Sequence, residues 1–67
     1  MENELAIKLY KKTLDLKGVE LNPIQSIKFM QACEKAIVEN PTADFQDLLL
    51  VSKIYLDYIL ENPAIRL

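Results

Sequence analysis

The chain has 67 residues, a formal net charge of −2, one cysteine, no histidine and a hydrophobic fraction of 51%. One cysteine excludes an intramolecular disulfide, and the lack of histidine removes the commonest general base and any ordinary zinc set. A domain this short buries only about 60% of the surface its unfolded chain exposes, so tight helix packing or association with another chain must reinforce it, and association is expected.

Every proline follows an asparagine, at Asn22-Pro23, Asn40-Pro41 and Asn62-Pro63. A residue before proline is pushed out of the helical region, so the three pairs mark boundaries and predict helices over about 2–16, 23–39 and 43–61. In the first helix Leu5, Ala6, Ile7, Leu9, Tyr10, Thr13, Leu14 and Leu16 cover one side, and Glu4, Lys8, Lys11, Lys12 and Asp15 the other. It should stop at Lys17-Gly18, where the only glycine suits a left-handed C-cap.

The second helix opens with a capping-box signature: Asn22 as N-cap, Pro23 at the first helical position and Gln25 at N3. Leu21 with Ser26 or Ile27 is placed to staple that end. Phe29, Met30, Cys33, Ala36 and Ile37 form its main apolar face, and Ala32, Cys33 and Ala36 are small enough for a neighbouring helix to come close. Ile24, Ile27 and Val38 lie on the opposite side among Lys28, Gln31, Glu34 and Lys35.

The third helix starts at Thr42 or Asp44, both acceptable N-caps. Eleven of the sixteen residues over 45–60 are apolar, and the polar side chains Gln46, Lys53 and Asp57 fall on one narrow line that Glu61 extends, with Asp47 and Ser52 off it. A helix apolar nearly all round has to be central, either packed on both sides by its own chain or shared with another. The last residues, 63–67, are too short for an element of their own yet apolar enough to fold back over a groove. The similar stretches 36–43 (AIVENPTA) and 58–65 (YILENPAI) read as two helix ends sharing one stop signal, since a repeat array would need more copies.

Net charge is +1 over residues 1–17, −1 over 18–40 and −2 over 41–67. The nearest thing to a basic stripe is Lys8, Lys11, Lys12 and Lys17, but interleaved with Glu4 and Asp15 it reads as a solvated helix face, and nucleic acid is not the expected partner. The first twelve residues hold no apolar core of signal-peptide length and the longest apolar run is 48–51, so no membrane span is expected. A free thiol fits the reducing cytoplasm.

Chemistry has few candidates. Cys33, on an apolar helix face between Ala32 and Ala36, reads as an inert core residue. Asp57 and Glu61, four apart with Lys53 one turn earlier, read as a solvated stripe. Asp44 and Asp47 lack the loop spacing and turn glycine of a calcium site, and one glycine cannot build a phosphate loop. No catalytic, cofactor-binding or metal-binding residue is assigned, and the chain is not expected to be an enzyme.

The run 39–48 (ENPTADFQDL), followed by Val51-Ser52-Lys53 and 55–60 (YLDYIL), resembles the helix-turn-helix segments of small phage and bacterial DNA-binding domains. The resemblance covers under half of the chain. It implies a turn at Leu49, Leu50 and Val51, which holds no glycine, and a recognition helix with Ile54, Leu56 and Ile59 where base-reading helices carry Arg, Lys, Asn or Gln.

The expected fold is therefore all-α: a compact three-helix bundle with the third helix as its hydrophobic centre, the other two packing on it through Leu9, Leu14, Leu16, Phe29, Met30, Cys33 and Ile37, and two copies dimerising through the C-terminal helix. The expected function is protein binding, by a cytosolic or phage-encoded regulator or adaptor that presents an apolar helix face to itself or to a larger protein. Leu49, Tyr55, Leu56, Tyr58 and Ile59 would be the anchors and Lys53 and Asp57 the polar rim, with one of the two tyrosines inside and the other facing the partner. The alternatives are a degenerate helix-turn-helix module and a structural subunit of a larger assembly.

Overall fold

The computed structural model describes residues 4–61, which form three α-helices, α1 (Glu4–Lys17), α2 (Pro23–Glu39) and α3 (Phe45–Glu61), each packed against the other two. Among these residues there is no strand. The predicted helical turn at residues 2–3, the stop at Asn62-Pro63 and the apolar tail 63–67 lie outside the described residues.

The helix ends follow the punctuation read from the sequence. α1 runs one residue past the expected end. It closes on Gly18, whose φ of +65° is the left-handed conformation that glycine adopts without strain, and whose N–H donates to the Leu14 carbonyl at 2.8 Å. At the start of α2 both halves of the capping box are present: the Gln25 N–H donates to Asn22 Oδ1 at 2.8 Å, and the Asn22 N–H donates to Gln25 Oε1 at 3.1 Å. Ser26 serves differently from the expected staple, its hydroxyl bonding Tyr10 of α1 at 2.5 Å, while Ile27 is exposed. α3 begins at Phe45, two residues later than expected, because Asp44 is the residue that caps it, accepting from the Asp47 N–H at 2.9 Å.

The core is built from Ala6 and Leu9 of α1, Phe29, Cys33 and Ala36 of α2, and Leu48, Leu49, Leu56 and Ile59 of α3. Of the residues expected to pack on α3, Leu9, Phe29 and Cys33 are fully buried, and Leu14, Met30 and Ile37 are half-buried around them. Leu16 is a correction: it continues the stripe of Ala6, Leu9 and Thr13 into the last turn of α1, where the chain swings away at Gly18, and is half exposed. α1 and α2 both pack on α3, which supplies the largest share of the core. The three helices share one core, and the side of α3 turned away from it carries exposed apolar side chains.

Two buried hydroxyls meet different fates. Thr13 Oγ1 donates to the Leu9 carbonyl at 2.7 Å, whereas Ser52 Oγ has no hydrogen-bond partner. Ser52 is fully buried beside Cys33, at the small-residue seam where α2 and α3 approach. A buried hydroxyl without a partner costs about 1–3 kcal/mol, and alanine is the better helix former. Ser52→Ala is therefore expected to stabilise the fold by about 1 kcal/mol in urea unfolding. A destabilised variant would mean that the hydroxyl makes a bond in solution.

Candidate functional site

Leu50, Ile54 and Tyr58 stand four residues apart on the outer face of α3 and are 59%, 68% and 67% exposed. At this spacing neighbouring side chains stack along the helix, so the three form one continuous apolar ridge. The exposed apolar residues of α2 make no such ridge, because Gln31 and Glu34 interrupt Ile27 and Val38. Asp47, Asp57 and Glu61 surround the ridge with carboxylates, and half-buried Lys53 borders it on the α1 side.

The residues expected to bind a partner are divided by this geometry. Leu49, Leu56 and Ile59 turn inward, 5%, 0% and 5% exposed, and the chain's own core takes them as anchors. Tyr58 faces outward, and Tyr55 is half-buried against the core. Asp57 reaches Lys17 at the end of α1, Nζ to Oδ1 2.7 Å, an ion pair at the surface. Leu50 and Ile54, exposed on this face, lie outside the expected set; they continue the ladder that starts at polar Gln46 and runs past Asp57 and Glu61 around the helix.

A cleft flanks each side of α3. Between α1 and the start of α3, Leu5, Lys8, Lys11, Lys12, Asp15 and Phe45 line an open cleft of about 780 Å³, with an apolar floor and three lysines against one carboxylate. Between α2 and the end of α3, Lys28, Gln31, Ala32, Lys35, Tyr55, Tyr58 and Ile59 line one of about 380 Å³. Lys8, Lys11 and Lys12 of the expected basic face thus converge on one cleft, whereas Lys17 is tied to Asp57. α3 also runs unbroken through Leu49, Leu50 and Val51, where the helix-turn-helix resemblance requires a turn.

Cys33 is fully buried, and its thiol is pushed up to about 11, chiefly by that burial. Fully buried and protonated at neutral pH, it is a core thiol and not an exposed nucleophile. Unfolding returns the thiol to about 9, so its contribution to stability is complete below pH 9 and is lost as pH rises toward 11, at about 1.4 kcal/mol per pH unit. The difference in unfolding free energy between the wild type and Cys33→Ala is expected to be flat below pH 9 and to slope above it. A difference that stays flat to pH 11 would place the thiol in contact with water.

Among the described residues no group of three or more Cys, Asp or Glu side chains is arranged to hold a metal ion, and no helix is long and apolar enough to cross a membrane. No protein-family model matches the chain, and neither a curated protein nor a solved structure matches it.

Proposed function

We propose that the chain is a small, non-enzymatic protein-interaction module that binds a protein partner through the outer face of α3 in the reducing cytoplasm. The observation that carries this reading is the ridge of Leu50, Ile54 and Tyr58, a contiguous apolar line left in water by a chain that has little core to spare. The ridge supplies the i, i+4, i+8 anchors of helix-in-groove recognition, with Lys53 and the carboxylates as a polar rim. Tyr58 is the natural centre of binding energy, since a tyrosine ring buries a large area while its hydroxyl stays at the wet edge.

A photoreactive phenylalanine derivative in place of Ile54 is expected to form one discrete adduct in cells, with a second copy or with a larger protein. The same group in place of Glu34, on the outer face of α2, should not form it, and Leu50→Lys or Tyr58→Lys should remove it. Equal labelling from both positions, or no adduct from Ile54, would overturn the reading.

A further inference from the structure

The flank of α3 and its outer face are complementary to each other. Leu5 and Phe45 meet in the α1–α3 cleft and Lys17 meets Asp57, both pairs 40 residues apart, so α1 and α3 run side by side in the same direction with a constant offset. By that offset Lys8 lies level with Leu48, Lys12 with Ser52 and Asp15 with Tyr55. The floor of this flank is apolar and its rim mainly basic, whereas the ridge is apolar and its rim mainly acidic.

We infer that the partner of the α3 ridge is a second copy of this chain, docked as a two-fold antiparallel pair, ridge against ridge, in which the charged edge of each ridge is turned to the other copy's α1–α3 cleft; this rests on the interaction reading above. An antiparallel two-fold centred on Ile54 sets Leu50 against the partner's Tyr58 and keeps the two α1 flanks on the same side of the contact. At that register the partner's Glu61 arrives level with Asp47, beside Lys8, and the partner's Asp57 arrives level with Val51, beside Lys11 and Lys12. The partner's Lys53 arrives level with Tyr55, beside Asp15. Three successive positions along one flank thus meet opposite charge, and Lys8 lies where Asp47 and the partner's Glu61 would otherwise face each other alone. Three ridge side chains are too few for a stable interface, which buries about 800 Å² per partner. The side-chain stems of Lys8, Lys11 and Lys12, laid along the partner's α3, widen the contact at both symmetry-related ends.

Light scattering over a concentration series is expected to show the mass rising from 7.7 kDa toward twice that value and no further. Salt at about 0.5 M should weaken the association, and Ile54→Lys should abolish it with the helical circular dichroism retained. Lys8→Glu should weaken it by about tenfold, and adding Glu61→Lys should restore it to within about threefold of the wild type. The restoration is diagnostic because these two positions are level with residues 48 and 61, about 20 Å apart along one helix, so they can meet only between copies. A monomer at every concentration, a dimer indifferent to Ile54→Lys, charge reversal without restoration, or masses beyond the dimer would each overturn the inference. A monomer whose position 54 still gives a discrete adduct with another protein overturns self-docking and leaves the interaction reading standing. A monomer without such an adduct overturns both.

Discussion

Leu56→Glu is expected to leave the chain unfolded, with no cooperative melting transition and rapid proteolysis. Leu56 is fully buried at the junction of the three helices. The substitution removes about 2–3 kcal/mol of apolar burial and sets a carboxylate where it has neither water nor a cation, at several kcal/mol more. A 67-residue domain has only about 3–10 kcal/mol to lose. Ile54→Lys, two residues away on the outer face, is expected to melt within about 1 kcal/mol of the wild type, because Ile54 is 68% exposed and its stem can lie along the ridge. The pair separates fold from interface: loss of association in Leu56→Glu reports unfolding, whereas loss in Ile54→Lys with helices intact reports the surface. A cooperatively folded Leu56→Glu would contradict the packing of α3.

That contrast also shows which parts of the molecule were legible from residue types. Boundaries were, because Asn22, Pro23, Gln25 and Gly18 act through local chemistry: a cap, a fixed φ, a back-bond and a left-handed turn each depend on a few neighbouring residues. The core-facing stripes of α1 and α2 were largely legible too, since polar side chains marked the opposite sides of those helices. In α3 polarity misleads at three points. The polar Ser52 is fully buried, while the apolar Leu50 and Ile54 are exposed. The physical reason lies in the partners of the helix. Cys33 and Ala36 let α2 approach closely, and a small side chain fits that seam better than a leucine, so packing volume overrides polarity there.

The same reasoning explains why the site was only partly legible. With eleven apolar residues in sixteen, α3 offers more apolar surface than two neighbouring helices can cover, and which residues are left over depends on how the helix is rotated against them. Rotation is set by non-local contacts: the packing of Leu9 of α1 on one flank and the Cys33–Ser52 seam on the other. Neither is visible in a pattern within α3. Once the rotation is known, ridge, carboxylates and lysine-lined cleft follow from the order of residues along α1 and α3.

Phe29→Ala is expected to cost about 3–5 kcal/mol, the second largest effect of a single change and the one that tests how α1 is held. The Phe29 ring is fully buried and lies 5.5 Å from that of Tyr10, centroid to centroid, the planes tilted by 35°. The Tyr10 hydroxyl continues outward to Ser26, so one side chain of α1 is held by α2 through a ring and a hydrogen bond. The two holds differ in size: the truncated ring leaves a cavity bordered by residues of all three helices, whereas Tyr10→Phe removes a hydroxyl at the rim and should cost only about 0.5–1.5 kcal/mol. Against a urea dependence of about 1 kcal/mol per molar, Phe29→Ala shifts the midpoint by about 3 M or more, and the Ser52→Ala background keeps the variant measurable. Equal costs for the two substitutions would mean that the hydroxyl pair, and not the aromatic contact, holds α1 on α2, and that the cleft beside α1 moves when that bond opens.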